Sequence, residues 1–336
     1  MLKLILNWRK KFYRIILISV ASCAYAEQAA PVYIANLNPF VQIYGLPRAE
    51  PGTITPKGRL DAGFLYQVSN NAIQADAGTG ESIIWDGETA QYTLRFRYGI
   101  SEKLEIGLDI PYVEHSGGWL DSIIRAYHKM VGFPNDRQEQ FDKDQIDYQL
   151  DENGTVLYSM KEKHSGLGDV RFSAALPLFT KSIESRRYLA LRSLLKLPTG
   201  NADDLLGSGG TDLSMGLAYS DYEILRGINT VFSTYIGGIY MGNTEVLRDK
   251  QRHFAGYGGA SLDWLALDWL ELKLQMDLHS AFYDTELKQL GSSMQLLAGG
   301  TLHLPGELLL DWGISEQLIT DATPEVGFYL FARHLF

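Results

Sequence analysis

The stretch "ETAQYTLRFRYGISEKLEIGLDIPY" (residues 88–112) decides the fold. In its first half Ala90, Tyr92, Leu94, Phe96 and Tyr98 share one face, and Thr89, Gln91, Thr93, Arg95 and Arg97 share the other. After the short turn "ISEK", Leu104, Ile106, Leu108, Ile110 and Tyr112 alternate with Glu105, Gly107 and Asp109. A period of two sustained over this length predicts two strands, and the short turn makes them a hairpin. Strands of globular proteins average about 5–6 residues. These are longer, and reach the roughly 9–11 residues that a tilted strand needs to cross a bilayer.

The same pattern recurs in both directions from this hairpin. Strands are predicted over 59–69, 168–177, 187–198, 211–220, 228–241, 253–265, 269–282, 293–305, 307–316 and 326–336, which makes about twelve in all. The links alternate between short ones, as at 267–269 and 305–307, and long polar ones at 70–87, 113–166, 199–210, 242–252, 284–291 and 318–325. Short turns at one end and long loops at the other describe a transmembrane antiparallel β-barrel of about twelve strands. The competing reading is a secreted β-sandwich, whose strands also alternate but are shorter. The ending "VGFYLFARHLF" (326–336) puts Phe328, Leu330, Ala332 and Phe336 on one face at period two, with only His334 breaking the series. It resembles the C-terminal assembly signal of outer-membrane barrels. That likeness implies the barrel-assembly machinery as a partner through the strand ending at Phe336, with outer-membrane lipid and lipopolysaccharide around the wall.

Composition agrees with a folded, exported chain. Of 336 residues, 46% are hydrophobic and 21% charged, which is not the balance of a disordered protein. The net charge of −10 argues against a nucleic-acid partner. Nineteen tyrosines and 33 glycines suit β-structure with many turns. Residues 1–26 read as a signal peptide: Lys3, Arg9, Lys10, Lys11 and Arg14, then "IILISVA" (15–21), then the small-residue cleavage pattern "AYA" (24–26). The single cysteine, Cys23, allows no internal disulfide, and "VASC" (20–23) also resembles a lipidation site. Residues 27–58 hold Pro31, Pro39, Pro47, Pro51 and Pro56, too much proline for a central strand. This segment is either a periplasmic tail or a plug folded into the lumen, and residues 59–336 form the barrel.

Four phrases carry a family resemblance: "NPFVQIYGLPRAEPG" (38–52), "YGISEKLEIGLDIPY" (98–112), "HSGLGDVRFS" (164–173) and "LKLPTGN" (195–201). Together they resemble an uncharacterised Gram-negative outer-membrane β-barrel family, domain of unknown function family 3187. The resemblance covers nearly all of the mature chain and implies a barrel in the outer membrane. It carries no activity and no functional residue. The strand phrases are shared loosely with barrels that pass hydrophobic compounds; the segment 38–52 is more particular.

Alternation assigns the inward positions. Arg95 and Arg97 face Glu105 and Asp109 across one hairpin, and Asp277 and His279 share a face further along. A barrel of about twelve strands lies between the bore that side chains fill and the bore that leaves a channel. These charged residues either line a water-filled pore or form a self-plugging ion-paired interior. In the long link, Trp119, Leu120, Ile123, Ile124, Tyr127, Met130 and Val131 recur at helical spacing. That predicts a short amphipathic helix, with Trp119, Ile123 and Tyr127 as candidates for a ligand-capturing lid, or else a helix packed on the barrel mouth. The acidic stretch 135–153 reads as solvated loop, or as a place for divalent cations bridging lipopolysaccharide. No metal-ligand spacing, phosphate loop or cofactor signature stands out, and no catalytic residue is assigned. His115–Ser116 and His279–Ser280 are adjacent in strands, so each pair points to opposite faces. Passive passage of small, hydrophobic or other, molecules is the expected activity. The alternatives are a lipid-modifying barrel enzyme and a structural or surface-interaction barrel without an open pore.

Overall fold

The hairpin at 88–112 pairs as its alternation requires. Strand β2 (Glu81–Ser101) runs antiparallel to β3 (Leu104–Ser116), with Leu94 opposite Ile110 and Arg95 opposite Asp109. The structure is a computed structural model that describes residues 29–122, 144–180, 186–319 and 322–336. The predicted signal peptide, with Cys23, lies outside the described residues.

The remaining strands are β1 (Leu60–Asp76), β4 (Asp147–Glu152), β5 (Thr155–Met160), β6 (His164–Leu167), β7 (Arg171–Thr180), β8 (Arg187–Lys196), β9 (Asp212–Leu225), β10 (Thr230–Met241), β11 (Phe254–Leu267), β12 (Leu270–His279), β13 (Ser293–Leu304), β14 (Leu308–Ile319) and β15 (Val326–Leu335). Twelve of these close a ring. From β1 through β2, β3 and β7 to β15 each pairs antiparallel with the next, and β15 pairs back onto β1. Closure leaves no edge with unpaired backbone groups, which a strand wall in lipid requires. The C-terminal strand completes it, with Ala332 opposite Phe64 and Leu330 opposite Tyr66. Among the described residues no helix is long and apolar enough to cross a membrane.

The two faces of the wall differ as the alternation implies. Phe64, Leu94, Ile106, Phe172, Leu217, Ile236, Leu274, Ile314 and Leu330 point outward and are exposed. Their neighbours Leu65, Thr93, Arg95, Glu105, Arg171, Lys273, Gln275 and Ser315 point inward and are buried. Tyr66, Tyr92 and Tyr112 lie side by side across β1, β2 and β3, and their rings touch on the outer face.

Two predicted loops are wrong in extent. The link 70–87 is mostly strand: β1 continues to Asp76 and β2 begins at Glu81, leaving a turn at 77–80. Ile73, Ile83 and Trp85 within the link are buried and carry the ribbon past the ends of the predicted strands. Gly87 sits at φ +143°, a conformation that side chains disfavour, within the continuous strand β2. The link 113–166 likewise holds β4, β5 and β6. Asp147–Glu152, read as solvated acidic loop, pairs with Glu81–Asp86 because Tyr148 and Leu150 alternate with its acids and are fully buried. Residues 120–122 have helical backbone; the rest of the expected amphipathic helix, including Ile123 and Tyr127, falls in 123–143, outside the described residues.

Candidate functional site

The site is the barrel interior, and residues 29–56 run through it. Proline removes N–H groups at positions 31, 39, 47, 51 and 56, so this segment cannot join a ladder. Its backbone is satisfied by inward side chains of the wall instead. Two glutamines act as short stand-ins for a neighbouring strand. Gln275 accepts from Val32 N at 2.7 Å and donates to Val32 O at 3.1 Å. Gln67 accepts from Ala35 N at 3.0 Å and donates to Ala35 O at 2.5 Å. Pairing both groups of one residue satisfies polar atoms that would otherwise be buried at a cost of about 1–3 kcal/mol each.

Toward the long-loop end the segment folds into a compact turn. Asn38 Oδ1 accepts from Phe40 N at 3.0 Å, and Asn38 O accepts from Val41 N and Gln42 N. Asn38 Nδ2 ties the turn to the loops, donating to Gln289 O and Ala322 O. Phe40, Val41, Ile43 and Tyr44 pack with Trp85, Tyr148, Leu150, Phe282 and Tyr283, so an apolar core fills this end. Phe40 stacks on Trp85 at 5.7 Å, and Tyr44 meets Phe282 edge-on at 5.4 Å. One level further in, Lys196 reaches Asp169 at 2.7 Å and Asp212 at 3.1 Å, and donates to Ile43 O. Arg171 donates to both Gln42 O and Tyr44 O at 3.2 Å.

Toward the short-turn end the contacts become ionic. Glu50 Oε1 accepts from Arg97 Nη2 at 2.7 Å and Nε at 3.0 Å, and Glu50 Oε2 accepts from Arg192 Nη1 at 2.6 Å. Arg95 stands 4.0 Å away. Burial raises the Glu50 pKa, but Arg97, Arg192 and Arg95 outweigh it and hold the carboxyl well below the usual carboxylate range. Each arginine is also tied to the wall: Arg97 to Asp109 at 2.7 Å, Arg95 to Asp61 at 3.0 Å and Arg192 to Glu105 at 3.0 Å. The Tyr33 ring lies under the guanidiniums of Arg48, Arg95 and Arg97 at 5.0, 4.9 and 5.6 Å, and its hydroxyl donates to Asp109 at 2.6 Å. Gly52 presses against β8 and β9 so closely that a Cβ there would lie 2.4 Å from Tyr188 O.

The structure therefore brings Arg95, Arg97, Glu105 and Asp109 together. It does not join Asp277 to His279. Asp277 accepts from Tyr235 at 2.7 Å and from Gln275 at 2.9 Å, while His279 meets Asn36 at 3.0 Å and Ser280 O. Trp119 is exposed; its N–H and that of Leu120 donate to the Glu88 carboxylate, which caps the start of the loop helix. Among the described residues no cluster of acids, histidines and cysteines could hold a metal ion. Arg192, Gln67 and Gln275 carry more of the interior contact than alternation alone suggested. Nothing in the pattern singles them out before the Pro-rich segment is placed inside.

The wall is a closed twelve-stranded antiparallel β-barrel, the fold of outer-membrane barrels. The chain belongs to the family described as a protein of unknown function (DUF3187), which it matches over residues 12–336. Among solved structures it is similar to the COG4313 outer membrane channel from Pseudomonas putida F1, with 13% identity and a TM-score of 0.56, covering 86% of this chain and 100% of that one. It is more distantly similar to the Ralstonia pickettii toluene transporter TbuX, with 8% identity and a TM-score of 0.42 over 83% of this chain and 90% of that one. The Pseudomonas putida toluene transporter TodX gives 11% identity and a TM-score of 0.39 over 84% and 91%. No curated protein matches the sequence.

Proposed function

We propose that this protein is an outer-membrane channel for small molecules whose lumen is closed at rest by its own N-terminal segment. The observation that carries the reading is residues 29–56 threaded through a closed twelve-stranded wall. They are held by inward side chains of β1, β2, β3, β8, β9 and β12, and not by a ladder. Attachment through side chains can be undone piece by piece while the wall stays intact, which is what a removable plug needs. A purely structural barrel has no use for an interior segment so separable from its wall. The apolar outer face and the aromatic patch of Tyr66, Tyr92 and Tyr112 suit a bilayer. Trp119 and the helical backbone of residues 120–122 sit on the long-loop side, where a capture surface for apolar compounds would be useful. Lipopolysaccharide around the wall and assembly through the strand ending at Phe336 belong to the same reading.

The test clamps the plug. A Cβ at Gly45 would lie 3.1 Å from Asp212 Cβ, a few tenths of an ångström inside the roughly 3.5–4.5 Å of a disulfide, so a small outward shift of the segment lets the two bridge. The double variant Gly45→Cys/Asp212→Cys, oxidised, should keep small solutes out of proteoliposomes. Reduction frees a seat that has lost its Asp212 contact, and uptake should rise several-fold. Equal uptake before and after reduction, in a barrel still folded by heat-modifiable migration, would refute closure by this segment.

A further inference from the structure

The ionic end of the plug does more than hold it. A carboxylate, Glu50, lies between three guanidiniums that come from two strands: Arg95 and Arg97 from β2 and Arg192 from β8 converge on it, with β1 and β3 supplying their counter-charges. Each Glu50 oxygen has its own arginine, at 2.7 and 2.6 Å, the spacing of charge-assisted bonds. The wall carboxylates Asp61, Asp109 and Glu105 anchor these arginines from outside and leave donor edges turned inward. Arg171, one level further in beside Gln42 and Tyr44, adds a fourth guanidinium, which faces Asp109 and Asp169. Donors remain in surplus even with Glu50 in place: Arg95 Nε and Arg171 Nε are buried without a partner, as are Nε and Nη1 of Arg48 on the plug. Asp61 Oδ1 is the one wall carboxylate oxygen there in the same condition. A cavity of about 120 Å³, lined by Glu50, Arg95, Glu105, Arg192 and Arg333, opens beside the site at the short-turn end.

We infer that Arg95, Arg97 and Arg192 form a carboxylate-binding station of the channel, and that Glu50 occupies it in place of a carboxylate-bearing solute. The inference rests on the channel reading and names its substrate class: small organic acids. Occupancy by solute and by Glu50 exclude each other, so the acid that is carried also favours the open state. Only differential affinity for the plug-free state could shift the equilibrium in this way.

Binding and passage are measured separately. In detergent, acetate titrated calorimetrically into the Glu50→Ala variant should bind at least about tenfold more tightly than to the unaltered protein, the factor expected from one restored charge-assisted contact. The Glu50→Ala/Arg97→Gln double variant should lose that gain, and chloride should not reproduce it. In proteoliposomes carrying Glu50→Ala, benzoate should enter several-fold faster than benzyl alcohol. Absence of acetate binding to Glu50→Ala, in a barrel that remains heat-modifiable, overturns the station. Binding with equal entry of acid and alcohol overturns the assignment of substrate class. Binding with entry of neither solute leaves the station standing and refutes the channel reading on which its role depends.

Discussion

The two ends of the lumen hold the same segment by different physics. At the long-loop end, Phe40, Val41, Ile43 and Tyr44 sit in an apolar core with Trp85, Phe282 and Tyr283. At the short-turn end, Glu50 and Arg48 are held by arginines and acids, with the rings of Tyr33 and Phe331 stacked against the guanidiniums. An apolar core is non-directional and tolerates sliding, but it keeps water out. A buried ion-pair network is directional, and a charged competitor can exchange into it. In a channel closed by this segment, the difference assigns the two roles: the aromatic turn would be the seal and the arginine level the latch.

The largest effect should come from breaking the seal. Phe40→Ala removes a fully buried ring from the turn, a change that typically costs about 3–5 kcal/mol in a packed core. Opening events in planar bilayers should become orders of magnitude more frequent at any salt concentration. An unchanged closed fraction would mean that the apolar end is not the seal.

The latch should give a smaller effect with a different signature. Glu50→Gln keeps the hydrogen-bond geometry and removes the charge, at a cost of about 1.5–3 kcal/mol for charged hydrogen bonds. Its pH dependence has a definite sign. The folded-state pKa of Glu50 is depressed, so its contribution is fully present above the unfolded value of about 4.3 and is lost as pH falls toward the folded value. The closed fraction of the unaltered protein should be flat from pH 8 to 5 and fall only below about pH 4. The Glu50→Gln variant should lack that acid step. A step near pH 6 in both proteins would assign the response to other groups.

The smallest effect should come from the rim. Trp119 is about half exposed at the start of the loop helix and touches neither the seal nor the latch. Trp119→Ser should leave the closed fraction within about 0.5 kcal/mol, as for most surface changes. If it alters entry of a hydrophobic dye but not of a small sugar, the lid reading of this helix gains its support there.

How much of this was legible in the sequence follows from which interactions are local. Strand alternation is a property of consecutive residues, so the twelve wall strands and the inward placement of Arg95, Arg97, Glu105 and Asp109 could be read directly. The strand extensions past the predicted ends were hidden because Ile73, Ile83 and Trp85 depend on long-range packing. The position of residues 29–56 was left between two readings for the same reason. Prolines say where a strand cannot be; only partners hundreds of residues away, such as Gln275 for Val32 and His279 for Asn36, say where the segment goes. The phrase "NPFVQIYGLPRAEPG" stood out within the family resemblance, and it spans the turn, the Arg48 contact and Glu50.

The most direct test of closure by the N-terminal segment is single-channel conductance of the assembled barrel with and without residues 29–56, each confirmed folded by heat-modifiable migration. The full chain should show a closed baseline with rare, brief openings, and the shortened chain a steady open level. The same steady conductance from both would contradict the account.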